Sequence, residues 1–252
     1  MTTTILITGA SRGIGRACAL LAAERGYQVG VNYRSDAAAA EQVVEAIEAA
    51  GGSAFALQAD VAVEADIARM FAQVDARLAR DGGRLAALVN NAGILERQMR
   101  VEQMDAARIS RILATNVTGP FLCAREAVRR MSTRHGGSGG AIVNVSSRAA
   151  VLGSPNEYVD YAASKAALDA LTIGLSKEVA QEGIRVNGVR PGLIDTEMHA
   201  SGGEPGRIAR LQSSVPLGRG GAAAEVARAV LWLVSEEASY TTGSFIDVSG
   251  GR

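Results

Sequence analysis

The sequence predicts an α/β fold with a doubly wound parallel sheet of about seven strands and helices on both of its faces. Short β-prone runs alternate with helical patterns along the chain, which is typical of parallel strands joined by crossover helices. Apolar residues make up 48% of the 252 residues, enough to cover both faces of a sheet. Because no Pro-rich or charged linker interrupts the alternation, we expect residues 1–252 to form a single domain.

The predicted elements follow one another in regular order. Strands are expected at 4–8, 28–33, 54–58, 86–89, 141–145, 184–189 and 244–248. Helices are expected at 14–25, 37–50, 63–80, 103–131, 158–181 and 225–234. Right-handed crossovers between such strands give a Rossmann-like sheet, in which ligands bind at the carboxyl ends of the strands. The glycine-rich stretch 135–140 precedes a strand, so we interpret it as a turn and not as a phosphate cradle.

Charge and cysteine usage exclude several functional classes. The formal net charge is zero and the pI is about 6.8, so the chain has no general attraction to nucleic acid or to an acidic membrane. Cys18 and Cys123 lack the spacing of metal ligands or of a disulfide framework. No basic signal-peptide segment begins the chain, and no apolar run approaches the roughly 18 residues of a membrane span. We expect a cytoplasmic protein without a metal.

Four arginines form a basic run near the end of the helical region 103–131. They are Arg125, Arg129, Arg130 and Arg134. A solvated helix face and an anion-binding patch are the two interpretations, and the neutral charge of the whole chain favours the solvated face.

The segment Thr8–Gly15 lies between the first predicted strand and the first predicted helix. At this place backbone N–H groups and the helix dipole hold a pyrophosphate, and glycines let a ligand approach the chain. Three residues separate the first two glycines, unlike the common dinucleotide-binding spacing, so a simple tight turn is the alternative. The predicted cofactor contacts in this loop are Gly9, Ser11, Arg12, Gly13, Ile14 and Gly15.

The end of the second strand predicts which dinucleotide is preferred. Sites that prefer NAD place an acidic residue there to bind the ribose 2′-hydroxyl, whereas this chain has Arg34 and Ser35 after Tyr33. Together with Arg12, the Arg34 guanidinium suits a 2′-phosphate. We therefore expect NADP(H) to be preferred to NAD(H), with two ordinary surface arginines as the alternative interpretation.

Tyr161 and Lys165 are the candidate catalytic pair. Their spacing of four residues places the phenol and the ammonium on one face of a helix. A nearby cation favours the phenolate, so Tyr161 is expected to exchange a proton with a substrate oxygen near neutral pH. Tyr158 lies seven residues before Lys165, and we interpret it as a packing or pocket-wall residue.

The chain resembles the short-chain dehydrogenase/reductase family over essentially its whole length. The similarity rests on motifs that follow successive strands: the loop 8–15, Asp60 with Val61, the run 90–93, Asn116, Ser146 with Ser147, Tyr161 with Lys165, and Pro191 with Gly192 and Thr196. The resemblance implies an NADP(H)-dependent oxidoreductase that moves a hydride between the nicotinamide and a small-molecule carbonyl or alcohol. A catalytically silent NADP(H)-binding sensor is the alternative function.

The resemblance also assigns roles to residues. It implies that Tyr161 is the general acid or base. It implies that Lys165 lowers the pKa of Tyr161 and holds the nicotinamide ribose, and that Asn116 anchors a water relay to Lys165. Further cofactor contacts are implied for Asp60, Val61, Asn91, Ala92, Gly93, Pro191, Gly192, Ile194 and Thr196.

The serine that binds the substrate oxygen is less sharply defined by the sequence. Tyr161 lies 14 residues after Ser147, one more than the commonest family spacing. We choose Ser147, because the stretch 154–156 can absorb an insertion in a loop while Ser146 is expected to point into the strand. Ser146 is the alternative.

The remaining expectations concern the substrate and the assembly. Residues 195–219 resemble a substrate lid, in which His199 is either a surface histidine or a substrate contact. The chain is similar to a bacterial subgroup of uncharacterised oxidoreductases near glucose 1-dehydrogenase and 3-oxoacyl-carrier-protein reductase. The family implies a homotetramer, built through helices 103–131 and 158–181 and through the last strand with the helix that carries Trp232.

Overall fold

The computed structural model describes residues 2–252 and confirms the α/β architecture. Its strands are β1 (Thr2–Ile7), β2 (Gln28–Tyr33), β3 (Ser53–Gln58), β4 (Gly83–Asn90), β5 (Gly140–Val145), β6 (Ile184–Pro191), β7 (Ile194–Asp195), β8 (Gly221–Ala222) and β9 (Phe245–Val248). Seven of them form a parallel sheet in the order β3-β2-β1-β4-β5-β6-β9, and β7 pairs with β8. The strand order reverses between β1 and β4, where ligands bind in sheets of this type.

The helices lie between the strands as the alternation predicts. They are α1 (Gly13–Glu24), α2 (Ala37–Ala49), α3 (Glu64–Asp81), α4 (Ala106–Leu113), α5 (Gly119–Met131), α6 (Ala149–Leu152), α7 (Val159–Val179), α8 (Met198–Ser201), α9 (Arg207–Leu211) and α10 (Ala223–Val234). The sequence patterns do not predict β7, β8, α6, α8 and α9, because elements of two to five residues are too short to show a periodicity.

The sequence predicts a helical region over 103–131. That prediction is wrong at its start, and the observed helix is irregular within. A 3₁₀ turn at Val101–Gln103 precedes an extended Met104, and α4 begins only after Asp105. The Asp105 side chain accepts a hydrogen bond from the Arg108 N–H at 2.7 Å, which satisfies an open donor of the first turn. A π-helical segment at Ala114–Thr118 then connects α4 to α5.

Each face of the sheet carries its own apolar core. Ile5 and Ile7 of β1 join α1, α2 and α10 on one face, while Leu6 joins α3 and α5 on the other. This division follows from the alternation of side chains along a strand. Burial of each large apolar side chain stabilises the fold by about 1.5–3 kcal/mol. Within residues 2–252, no helix combines the length and apolar character needed to cross a membrane.

The structure favours the simpler interpretation of the two surface features noted above. The stretch 135–140 is a turn that leads directly into β5, with Gly136 in the left-handed region at φ +84°. The arginines of the basic run are paired with carboxylates: Arg125 with Glu64 at 2.8 Å, Arg129 with Glu126 at 2.8 Å, Arg130 with Asp75 at 2.7 Å and Arg134 with Glu182 at 3.7 Å. They form a largely solvated, charge-compensated face.

Candidate active site

A cleft of two adjoining cavities opens at the carboxyl edge of the sheet. The cavity around Thr8–Gly15, here called the loop cavity, has a volume of about 490 Å³. The cavity around Tyr161, here called the tyrosine cavity, has a volume of about 450 Å³. The two share the lining residues Ile14, Asn91, Leu95, Thr196 and Met198.

The structure gathers nearly all of the predicted site residues in this cleft. The loop cavity is lined by Gly9, Ser11, Arg12, Gly13, Ile14, Arg34, Ser35, Asp60, Val61, Asn91, Ala92, Gly93 and Thr196. The tyrosine cavity is lined by Ser147, Tyr161, Lys165, Pro191, Gly192 and Ile194. Gly15 and Asn116 belong to neither lining. A Cβ on Gly15 would collide with the Gly9 carbonyl oxygen and the Asn91 amide, so Gly15 lets α1 pack closely behind the loop.

The loop itself presents backbone donors to the loop cavity. Gly9 and Gly13 have φ angles of +62° and +54°, which favour glycine. Arg12 occupies the N-cap of α1 without a side-chain cap bond, so the first N–H groups of the helix stay directed at the cleft. Asn32, which the sequence motifs do not single out, accepts a hydrogen bond from the Gly9 N–H at 3.1 Å and so fixes the loop to β2.

The far corner of the loop cavity carries the two predicted guanidiniums. Arg12 and Arg34 are exposed and form no ion pair within residues 2–252. Asp36 also lines this corner, but its carboxylate caps α2 by accepting from the Ala39 N–H at 3.0 Å. Among the described residues, the corner therefore offers two guanidiniums without an ion pair beside Ser35.

The loop after β4 is tied to the end of β1. The Thr8 hydroxyl accepts hydrogen bonds from the N–H groups of Asn91 and Ala92, both at 3.0 Å. The Asn91 amide in turn donates to the Thr8 and Gly9 carbonyl oxygens at 2.8 and 3.0 Å. These neutral bonds hold the wall of the cleft in one conformation.

Tyr161 and Lys165 lie near the start of α7 and face the same cavity. The Lys165 ammonium is buried, lies 5.7 Å from the centre of the Tyr161 ring and donates to the Val145 carbonyl oxygen at 2.8 Å. Burial lowers the pKa of Lys165 to about 8, while Asp169 opposes that shift.

The direction of the Tyr161 pKa shift differs from the expectation based on helical spacing. Burial raises the pKa of Tyr161 above its usual value, and the interaction with the Ser147 hydroxyl opposes that rise. The spacing correctly places an ammonium nearby, but Lys165 donates to the Val145 carbonyl oxygen, and loss of solvation outweighs the other effects on the phenol.

The structure distinguishes the two serines after β5. The Ser146 hydroxyl is buried and donates to the Lys165 carbonyl oxygen at 3.2 Å, whereas Ser147 faces Tyr161. The stretch 154–156, which we expect to absorb the extra residue, is a loop in which Ser154 and Asn156 have φ angles of +44° and +63°. This left-handed backbone is costly for residues with a Cβ.

Asn116 lies in the π-helical segment, behind the cleft wall. Its amide donates to the Ile94 carbonyl oxygen and the Ser164 hydroxyl, both at 3.0 Å, and its carbonyl oxygen accepts from the Ile94 N–H at 2.8 Å. A Cβ added to Gly93 would lie 3.4 Å from the Asn116 oxygen and 3.5 Å from the Lys165 ammonium. Asn116 and Lys165 thus flank the same glycine.

A buried ion pair at the start of α7 is missed by the sequence analysis. The Arg108 guanidinium donates to the Asp160 carboxylate at 2.7 and 3.4 Å and to the Arg97 carbonyl oxygen at 2.7 Å. Asp160 also accepts from the Tyr161 N–H at 2.9 Å. The pair connects α4, the loop after β4 and the residue before the candidate catalytic tyrosine. Its partners are 52 residues apart, so no local motif reveals it.

The wall opposite the loop cavity contains Tyr158, His199 and Arg207. Tyr158 is buried, lines the tyrosine cavity and lies under the Arg207 guanidinium, 5.0 Å from the ring centre. Of the two interpretations of His199, the structure disfavours the surface histidine: the residue is partly buried and lines the cavity, with its Nε2 at 2.9 Å from the Ile194 carbonyl oxygen. Burial lowers the pKa of His199, so its ring is neutral at physiological pH.

Comparison with known proteins agrees with this geometry. A family model described as "Enoyl-(Acyl carrier protein) reductase" matches residues 9–252. An uncharacterized oxidoreductase of Escherichia coli, YgfF, is 62% identical over 247 residues, which cover 98% of both chains. The 3-oxoacyl-[acyl-carrier-protein] reductase FabG of Staphylococcus aureus is 39% identical and covers 100% of this chain and 98% of its own. The structure of the angucycline C-6 ketoreductase LanV with bound NADP superposes with a TM-score of 0.90 at 36% identity, covering 99% of this chain and 95% of that one.

Proposed function

The chain belongs to the short-chain dehydrogenase/reductase family of oxidoreductases, and we propose that it transfers a hydride between NADP(H) and a small-molecule carbonyl or secondary alcohol. One observation carries the proposal: Ser147, Tyr161 and Lys165 line one cavity that adjoins the glycine loop at the β1–β4 switch point. We further propose that residues 1–252 act as one catalytic domain.

The loop cavity fits a dinucleotide phosphate. The open N–H groups at the start of α1 and the two glycines suit a pyrophosphate, and Arg12 with Arg34 suits a 2′-phosphate. Asp36, the acid that follows Ser35 in the chain, is engaged as the cap of α2, which supports preference for NADP(H) over NAD(H). Asp60 and Val61 would contact the adenine, whereas Pro191, Gly192, Ile194 and Thr196 would hold the nicotinamide beside Tyr161.

The chemistry of the protein's own residues is proton transfer and orientation. When bound, NADPH supplies the hydride. The Ser147 hydroxyl donates a hydrogen bond to the substrate oxygen and holds it against the Tyr161 phenol, which gives up its proton in reduction and regains one in oxidation. The raised pKa of Tyr161 keeps that proton on the phenol before the reaction. The Lys165 ammonium stabilises the negative charge that develops on the Tyr161 phenol. Asn116 supports the cleft wall by binding the backbone of Ile94.

The names of the relatives support a carbonyl substrate. The reductase of Staphylococcus aureus is named for a 3-oxoacyl group and LanV for a ketone. Reduction of a ketone requires a hydride and one proton, and the Tyr161 phenol, which lines the tyrosine cavity, would supply that proton.

A screen with both cofactors tests the proposal. The protein is mixed with NADPH or NADH and a panel of aldehydes and ketones, and the absorbance of the reduced nicotinamide is followed; the reverse reaction is run with alcohols and the oxidised cofactors. We expect turnover with NADPH to exceed that with NADH. Tight NADPH binding without turnover on a broad panel would reject the enzyme and favour a cofactor-binding sensor.

We also propose that the protein is a cytoplasmic homotetramer. Exposed apolar side chains lie on α4, α5 and α7, at Ile109, Phe121 and Ile173, and near the last strand, at Tyr240. These are the two surfaces that the family resemblance implies as interfaces. Light scattering coupled to size-exclusion chromatography measures the mass, and a monomer at micromolar concentration would reject the assembly.

A further inference from the structure

Four charged side chains close the wall of the tyrosine cavity beside Tyr158. Arg207 donates to Glu157 at 2.5 Å and to Glu204 at 2.9 Å. Arg210 donates to Glu157 at 3.0 Å and also contacts Glu204. We call Glu157, Glu204, Arg207 and Arg210 the lid cluster, because they join α9 and the segment before it to the loop that precedes α7. Two carboxylates balance two guanidiniums, so the lid cluster is neutral.

Arg207 is the cation of the lid cluster that faces the cavity. Its side chain is 11% exposed, lines the tyrosine cavity and stacks on Tyr158. His199 lies on the same wall, and burial lowers its pKa. The charge of Arg207 lowers the His199 pKa further, whereas Glu204 opposes the shift. Its two terminal nitrogens each bind one carboxylate and one face of the guanidinium covers Tyr158, so its charge is compensated before a substrate enters.

Two of the other three cations on this lining, Arg148 and Lys165, are also engaged, and the third is Arg252. Arg148 pairs with Asp247 at 2.5 Å and donates to the Arg252 carbonyl oxygen at 2.7 Å. Lys165 donates to the Val145 carbonyl oxygen. The rest of the substrate-facing wall is mainly apolar, with Leu95, Leu152, Leu193 and Met198.

We propose that the lid cluster makes this site selective for uncharged ketones and alcohols over oxo acids and hydroxy acids. The inference rests on the proposed function, since it names the substrate class of the same site. A carboxylate that binds beside the lid cluster would lose its hydration without gaining a free cation there and would lie near the carboxylate of Glu157. Burial raises the pKa of Glu157, but the two arginines lower it more, so Glu157 is ionised at neutral pH. An uncharged substrate meets none of these costs.

Matched pairs of an acid and its ester test the inference. Acetoacetate and levulinate are compared with their ethyl esters as substrates with NADPH, and kcat/KM is measured for each compound. We expect the wild-type protein to prefer each ester by at least about tenfold. Glu157→Gln and Glu204→Gln each remove one carboxylate from Arg207 while keeping the side-chain size. Each should therefore raise the ratio of kcat/KM for the acid to that for the ester about tenfold. A variant that only loosens the lid would change kcat/KM for the acid and for its ester alike and would leave their ratio unchanged.

Two further variants separate charge from structure. Glu157→Asp keeps the carboxylate and should keep the wild-type ratio. Glu64→Gln removes a carboxylate from an exposed pair with Arg125 outside both cavities and should change neither kcat/KM nor the ratio. A wild-type preference for the acids, which Arg252 on the lining could produce, overturns the inference.

The remaining outcomes distinguish this inference from the proposed function. An unchanged ratio in both glutamine variants, with the esters still reduced, overturns the inference alone. Turnover of other ketones but of none of these four compounds also overturns it, because the esters are simple members of the class it names. Loss of all turnover across the carbonyl panel, with NADPH still bound, rejects the proposed function instead.

Discussion

The two halves of the cleft are held together by different forces. Around the loop cavity, neutral side chains bind backbone groups. Asn32 accepts a hydrogen bond from the Gly9 N–H. The Thr8 hydroxyl accepts from the Asn91 N–H, and the Asn91 amide donates to the Thr8 carbonyl oxygen. Around the tyrosine cavity, charged pairs join distant segments, such as Arg108 with Asp160 and Arg207 with Glu157. The first half is held by short-range bonds to the backbone, whereas the second depends on charges that segments far apart in the sequence bring together.

The comparison predicts that the two halves respond differently to substitution. Changes to the proton donor and to the charged pairs around the tyrosine cavity should alter turnover, stability or substrate choice and leave cofactor affinity nearly unchanged. Changes around the loop cavity should do the opposite.

The largest effect is expected for Tyr161→Phe. The variant lacks the exchangeable proton, so kcat should fall by about 10³- to 10⁴-fold, the upper range for loss of a general acid. Fluorescence titration should give an NADPH affinity close to that of the wild type. Tyr27→Phe, at a partly buried tyrosine outside both cavities, is the matched control and should keep its activity. Full activity of Tyr161→Phe would remove the proposed mechanism.

The next largest effect is expected for the buried ion pair. Arg108→Ala leaves the Asp160 carboxylate buried without its partner, which should lower the free energy of unfolding by about 3–5 kcal/mol, as measured by denaturant titration. Arg100→Ala, in an exposed pair with Glu102, should cost less than about 1 kcal/mol. An equal loss in both variants would contradict the distinction between buried and exposed pairs.

The loop cavity is tested by Arg34→Ala. Loss of a charge-assisted contact to the 2′-phosphate should weaken NADPH binding about tenfold or more and change NADH binding little. The two dissociation constants are measured by isothermal titration. Equal weakening of both cofactors would show that Arg34 does not read the 2′-phosphate, whereas Arg25→Ala, outside both cavities, should affect neither.

The smallest expected effect is on the pH profile. The pKa of Lys165 lies at about 8, so its ammonium, and the reaction rate that depends on it, should be lost as the pH rises above that value. We expect kcat/KM for ketone reduction to decrease severalfold between pH 7.5 and about 9, and the decrease should be absent in Lys165→Arg, which stays charged. A wild-type profile that is flat across this range would contradict a role for the Lys165 charge.

The contrast between the halves also explains what the sequence could predict. The alternation of apolar runs predicted the seven strands and the doubly wound sheet, because the period of two and the period of 3.6 are both local properties. The loop Thr8–Gly15 and the pair Tyr161 and Lys165 were predicted for the same reason: each is a short segment whose backbone or helical geometry dictates the residue types.

Residues that act through burial or distant partners were not predictable in this way. Arg108 appears on its helix as an ordinary polar residue, and only the fold brings Asp160 to it. His199 stands in a glycine-rich segment typical of the surface, yet the chain folds it against the Ile194 carbonyl oxygen. The direction of the Tyr161 pKa shift depends on burial, which spacing along a helix does not report.

The π-helical segment that contains Asn116 has a consequence for insertions and deletions. Each extra residue in a helix turns everything after it by about 100° around the axis, so α4 and α5 are out of phase with a single regular helix. If residues 114–118 formed a regular α-helix with no residue removed, either the face that carries Arg108 or the face that carries Cys123 would rotate away from its partners. Deletion of one residue within 114–118 would instead leave both faces in place, so the chain at this point accommodates a one-residue change in length without disturbing the helices on either side.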